Sequence, residues 1–151
     1  MRFLNSIDVS ASGLTAQRLR MDTTANNMAN VETTRVNNGE GPYRRKVVVL
    51  EARENNKPQF NNVLKNQMSN NSGQGVRVSG IREVDDNESP FRRVHDPSHP
   101  DADEDGYVNY PNVNIVEEMI NMISSTRAYE GNAKVIEASK NMAMRALDIG
   151  R

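Results

Sequence analysis

Residues 112 to 149 read NVNIVEEMINMISSTRAYEGNAKVIEASKNMAMRALDI. Ile115, Met119, Met122, Thr126, Tyr129, Ala133, Ile136, Ala143 and Leu147 recur there at alternating steps of four and three, with Lys140 as the one charged interruption. That period is helical, and the stripe is as narrow as a coiled-coil seam. A second stripe of Val135, Ser139, Met142, Ala146 and Ile149 runs beside it. Asn112 or Asn114 is suited to cap the start, and Glu117 and Glu118 fall in the first turn, where the helix dipole favours acids. Gly131 is expected to interrupt the middle, and Gly150 to close the pattern. Thirty-odd helical residues span about 50 Å. That exceeds the core of a 151-residue chain, so the surplus length must pack against something else.

A second helical rhythm lies at the other end. Ile7, Ala11, Leu14, Met21, Ala25 and Met28 form a stripe over residues 5 to about 33, with Arg18 in its one charged gap and Asn5 or Ser6 suited to cap it. Gly13 weakens this helix by roughly 1 kcal/mol relative to Ala. Its end, TANNMANVETT at 24 to 34, offers an unusual density of amides and hydroxyls. Left unpaired when buried, each would cost about 1 to 3 kcal/mol. Contacts between copies in an assembly would satisfy them, so replacing Asn27 and Asn30 by Ala is expected to leave the isolated chain nearly unchanged and to impair assembly.

Residues 36 to 111 change character. YRRKVVVLEA at 43 to 52, GVRVSGI at 75 to 81 and FRRV at 91 to 94 have strand-like density, and DPSHPDADEDG at 96 to 106 is turn-rich. The expected fold is therefore mainly α with a small β-containing middle region. It comprises an N-terminal core helix in 1–35, a small β-rich and loop-rich middle domain in 36–111 with a flexible insert near 53–74, and a C-terminal core helix in 112–151. The terminal helices are expected to pair as an antiparallel, coiled-coil-like hairpin, with Met-rich faces serving as adaptable packing.

Composition narrows the function. The hydrophobic share is 36%, the mean hydropathy −0.75, and 20 residues are Asn, which sits between a globular and a partly ordered chain. A net charge of −1 gives no whole-chain argument for nucleic acid, and no segment is apolar enough for membrane insertion. The chain has no Cys, hence no disulfide or thiolate metal site, and the N-terminus lacks the apolar run of a cleavable signal peptide. Asp101, Asp103, Asp105 and Gly106 match the opening of an EF-hand loop, but Asn112 stands where its closing Glu belongs. His95 and His99 are separated by Pro97 and cannot share a helical face. Arg44-Arg45-Lys46 and Arg92-Arg93 read as strand edges kept charged against unwanted pairing. No catalytic residue, cofactor or metal is expected. What survives is architectural: repeated copies joined head to tail through helix faces, which gives an open helical filament. A soluble coiled-coil adaptor is the rival reading.

The residues also resemble a known family. ANNMANVET at 25 to 33, GPYRRK at 41 to 46, DPSHPDAD at 96 to 103, GYVNYPNVNIVEEM at 106 to 119 and RAYEGNAKVI at 127 to 136 are similar to stretches of the bacterial flagellar axial (rod and hook) proteins, especially their proximal-rod subunits. The resemblance implies a structural subunit of the flagellar basal-body proximal rod, with no enzymatic activity, helping to form the torque-transmitting drive shaft. It implies export through the flagellar type III export apparatus without a cleaved signal peptide, and partners that are other copies of itself and other rod subunits. By the same likeness the terminal helices build an inner tube. Asn26, Asn27, Asn30 and Thr33 would be its packing positions on one helix and Tyr129, Glu130 and Asn132 on the other; from the apolar stripes, Leu14, Met21, Met119, Met122 and Ile136 are expected to join them at the assembly interface. Gly131 stands where the likeness leads one to expect Ala.

Overall fold

A computed structural model describes residues 2–36, 41–53 and 74–149. The insert expected near 53–74 falls outside the described residues, apart from Arg53 and Gln74. In chain order the elements are α1 (Arg2–Ala29), β1 (Lys46–Ala52), β2 (Val76–Glu83), β3 (Arg92–His95), β4 (Tyr107–Tyr110) and α2 (Ile115–Ile149). Two terminal helices thus flank a small β region, as the sequence leads one to expect.

Helix α2 runs unbroken for 35 residues. Asn114 is its cap: its Oδ1 accepts the Val116 N–H at 3.0 Å. Asn112 has another task. Its Oδ1 accepts the Arg45 N–H at 2.9 Å, and its Nδ2 donates to the Ser89 carbonyl at 3.0 Å, tying the middle region to the helix start. Gly131 does not interrupt the helix, and a Cβ added there would meet nothing within 4 Å. Helix α1 begins at Arg2, so Asn5 and Ser6 lie inside it rather than capping it.

The middle region consists of two antiparallel hairpins. β1 pairs with β2 and β3 with β4, and a bulge between Val49 and Leu50 shifts the first register. YVNY, the fourth strand, is not among the strand-like stretches read in the sequence, although Tyr107, Val108 and Tyr110 suit a strand. Val108 pairs with Val94 and is 1% exposed. The first hairpin packs on α1, and one approach is especially close. Gly75 has φ +95° and lies so near Ser12 that a Cβ there would come within 2.4 Å of its Oγ. That hydroxyl accepts the Val76 N–H at 3.1 Å and donates to the Val9 carbonyl at 2.6 Å.

The core is small and polar. Among the described residues Ala16, Tyr43, Val84, Val108 and Pro111 are the buried apolar or aromatic side chains, whereas Ser10, Thr23, Thr24, Asn27, Asn112, Glu118, Ser125 and Ser139 are buried polar ones. α2 packs on α1 and on no other helix or strand, so its buried face marks the seam. That seam is not the stripe the sequence suggests. Met122, Tyr129, Ile136 and Ala143 are half-buried as expected, but Ile115, Met119, Thr126, Ala133 and Leu147 are exposed. Their places are taken by Glu118, Ser125, Asn132 and Ser139. The second stripe likewise turns only Ser139 inward. α1 answers in kind: Ile7, Leu14, Met21 and Met28 are half-buried while Ala11, Arg18 and Ala25 are exposed. Small side chains let the helices approach closely. A Cβ on Gly13 would lie 2.8 Å from Asn132 Nδ2, which explains a glycine inside α1.

Candidate assembly surface

Two features bear on function: a buried polar junction, and an apolar face with no partner among the described residues. The junction centres on Asn27, 1% exposed. Its Nδ2 donates to the Lys46 carbonyl at 2.8 Å and to Glu118 Oε2 at 3.1 Å. Its Oδ1 accepts the Lys46 N–H at 3.0 Å and the Tyr43 hydroxyl at 3.0 Å. The side-chain amide thus behaves as one more peptide group beside β1, at the point where that strand begins. Glu118, also 1% exposed, is held on its other oxygen by Arg45, with Nε at 2.7 Å and a terminal nitrogen at 2.6 Å. A buried carboxylate is tolerable only with such company. Burial, then the carboxylates of Glu83 and Glu118, push the Tyr43 phenol above its ordinary value, so it remains a donor at neutral pH.

The remaining amides of the same stretch act locally. Asn30 Nδ2 donates to the carbonyl and to Oδ1 of Asn26, both at 2.9 Å, and Thr33 Oγ1 donates to Asn30 Oδ1 at 3.2 Å, closing the C-terminal end of α1. The expectation that Asn27 can be replaced without effect on the isolated chain is therefore corrected, since its donors and acceptor are all engaged inside one molecule. The junction residues Tyr43, Arg45, Asn112 and Glu118 are absent from the expected site set. Their signal lay in GPYRRK and NVNIVEEM, stretches that carry the family resemblance.

The other expected site residues divide by exposure. Leu14, Met21, Met122, Tyr129, Asn132 and Ile136 are half-buried along the helix pair, with Thr126 Oγ1 3.5 Å from Met21 Sδ. Asn26, Met119 and Glu130 face outward. They are joined by a set the sequence reading did not single out for the surface. Val116, Ile120 and Ile123 lie opposite the seam and are 64%, 62% and 53% exposed. Further along, Met142, Met144, Leu147 and Ile149 are also exposed. A solvated helix face would carry charge there, so this is a surface built to be covered.

The acidic turn serves local structure. Asp101 accepts the Thr34 hydroxyl at 2.7 Å and pairs with Arg35, while Gly106, at φ +75°, closes the base of the β3–β4 connection, its carbonyl accepting the Asp96 N–H at 3.0 Å. Among the described residues no three His, Asp or Glu side chains gather as metal ligands, and no helix is long and apolar enough to cross a membrane.

A long helix pair with a polar seam and an apolar face that no described residue covers suits an assembly subunit. The terminal segments match two described families: residues 7–35 match "Flagella basal body rod protein", and residues 104–149 match "Flagellar basal body rod FlgEFG protein C-terminal". Over its whole length the chain is 48% identical to the flagellar basal-body rod protein FlgC of Bacillus subtilis, with both chains fully covered. It is 47% identical to the FlgC of Borreliella burgdorferi, covering 99% of this chain and 98% of that one, and 32% identical to the FlgC of Salmonella typhimurium with full coverage of both. The chain belongs to the FlgC family of flagellar basal-body rod proteins.

Proposed function

We propose that the chain polymerises helically in the proximal rod through its terminal helices, as one structural, non-enzymatic subunit of the torque-transmitting drive shaft. In this reading α1 and α2 form an antiparallel, coiled-coil-like hairpin. Its support is the order of the contacts, in which Asn27 meets Glu118, Met21 meets Thr126 and Gly13 meets Asn132, descending one helix while ascending the other. The observation that carries the proposal is the exposed apolar face of Val116, Ile120 and Ile123, which no part of the described chain covers. Other copies and other rod subunits are the proposed occupants. Leu14, Met21, Met122, Tyr129, Asn132 and Ile136 then act by setting the hairpin, Asn27 by holding the middle region to it, and Asn30 and Thr33 by closing α1. Asn26, Met119 and Glu130 are left to touch neighbours. The FlgC relatives support a place in the flagellar basal-body rod; the reading adds that this rod spans the periplasm and that the chain reaches it through the flagellar type III export apparatus without a cleaved signal peptide.

Joint replacement of Ile120 and Ile123 by Asp tests this. The purified variant is expected to keep its helical circular dichroism and melting temperature, because both side chains already face water, while cells carrying it lose assembled rods and motility. Normal rods and swimming would remove α2 from the assembly contact.

A further inference from the structure

Three arginines of the middle region are stacked on rings, and they differ in company. Arg44, 5.4 Å from the Phe91 centroid, meets Asp86 at 3.3 Å, and Arg93, 4.4 Å from the Tyr107 centroid, reaches Asp103 at 4.0 Å. Arg92, 5.1 Å from the Tyr110 centroid, meets no carboxylate among the described residues. Its register partner is Tyr110, so both side chains stand on one face of the β3–β4 hairpin. They line an open cleft together with Glu32, Val94 and His99.

The cleft is held open by contacts behind it. Asp101 receives Thr34 and Arg35, which fixes the segment following Glu32 against the loop that carries His99. The Asp101 N–H donates to His99 Nδ1 at 3.1 Å, which leaves the proton of the neutral ring on Nε2 as a donor. Neither the Tyr110 hydroxyl nor the Glu32 carboxylate has a hydrogen-bond or ion-pair partner among the described residues. One cleft therefore gathers a guanidinium and a carboxylate, each without a partner among the described residues, and two further donors.

We propose that this cleft binds a small zwitterionic group, a carboxylate with an adjacent ammonium, as a free amino acid presents it. The Arg92 fork matches a carboxylate in two parallel hydrogen bonds, with Tyr110 and His99 able to supply others, and Glu32 receives the ammonium. The same Glu32 selects against a phosphate dianion, which would lie beside a like charge.

The test is a titration of the full-length, nitrogen-15-labelled protein with glycine, with acetate and with inorganic phosphate. Nuclear magnetic resonance follows the Arg92 side chain and the amides of Val94, His99 and Tyr110. Saturable shifts confined to the cleft are expected, with glycine binding about tenfold more tightly than acetate and phosphate weakest. Arg92→Gln is expected to abolish saturation, and Glu32→Gln to bring glycine down to the level of acetate. Glu32→Gln removes no contact within the described chain, so it carries the test if Arg92→Gln disturbs the hairpin. Shifts that do not saturate, phosphate as the best ligand, or glycine binding unchanged in Glu32→Gln would each overturn the assignment.

Discussion

Asn27 of α1 and Glu118 of α2 meet at 3.1 Å with only 1% of each residue exposed, and between them they hold β1 onto the helix pair. The same asparagine grips the Lys46 peptide at both its N–H and its carbonyl, and the same glutamate grips Arg45. Helix pairing and attachment of the middle region are thus one network, and a polar network of this kind is stable only when every member is satisfied.

Removing Asn27 should therefore destabilise the isolated chain. Asn27→Ala is expected to cost about 2 to 4 kcal/mol, because the Glu118 carboxylate and the Tyr43 hydroxyl lose a buried partner. Asn27→Asp, nearly identical in shape, should cost more, since it loses the Nδ2 donor and sets a second carboxylate against Glu118. Urea unfolding of the three proteins measures both. An Asn27→Asp protein as stable as the parent would mean that the junction does not hold the fold together.

Two glycines should respond to alanine in opposite directions. Gly75 combines φ +95° with the close approach of Ser12, so Gly75→Ala is expected to destabilise by more than about 1 kcal/mol. Gly131 lies within α2 with open space around it, so Gly131→Ala should stabilise by about 0.5 to 1 kcal/mol through helix propensity alone. Melting temperatures of the two variants give the comparison directly. A loss of stability in Gly131→Ala would contradict the unbroken helix.

Acid should loosen the tie between the end of α1 and the β3–β4 connection. The Thr34 hydrogen bond, and then Arg35 and His99, hold the Asp101 carboxyl below its ordinary value of 3.8. A lowered carboxylate contributes stability that is complete above the unfolded value and disappears as pH falls through the lower folded one. Resonances of Thr34 and Arg35 should therefore stay constant down to about pH 4 and shift below it. In Asp101→Asn that shift should vanish. Signals that still move in Asp101→Asn would remove Asp101 from the tie.

The helices were legible in the sequence because their apolar period is long, and strands β1 and β2 because Val47-Val48-Val49 and Val76-Arg77-Val78 fit strands. Which helix face turns inward was not. Period analysis places apolar residues inside, and here Val116, Ile120 and Ile123 face water while Glu118, Ser125 and Ser139 face α1. The rule fails because the seam selects small side chains for close approach and polar ones for register. For the same reason Asn27 stood out as an amide while its true partners, Lys46 and Glu118, did not. They lie 19 and 91 residues away, and no local pattern links them.

Ser125 offers the cleanest test of that seam. It is 1% exposed, and its hydroxyl has no hydrogen-bond partner among the described residues. A buried orphan hydroxyl costs about 1 to 3 kcal/mol, so Ser125→Ala, which removes it while keeping the small volume, should leave stability unchanged or raise it. Ser125→Leu adds the apolar bulk that an ordinary helix interface would welcome. Here it should separate α1 from α2 and cost about 1 to 3 kcal/mol through overpacking. Denaturation curves of the pair distinguish size from polarity. If Ser125→Leu were the more stable of the two, the seam would have room for apolar packing, and close approach of the helices could not be the reason for its small residues.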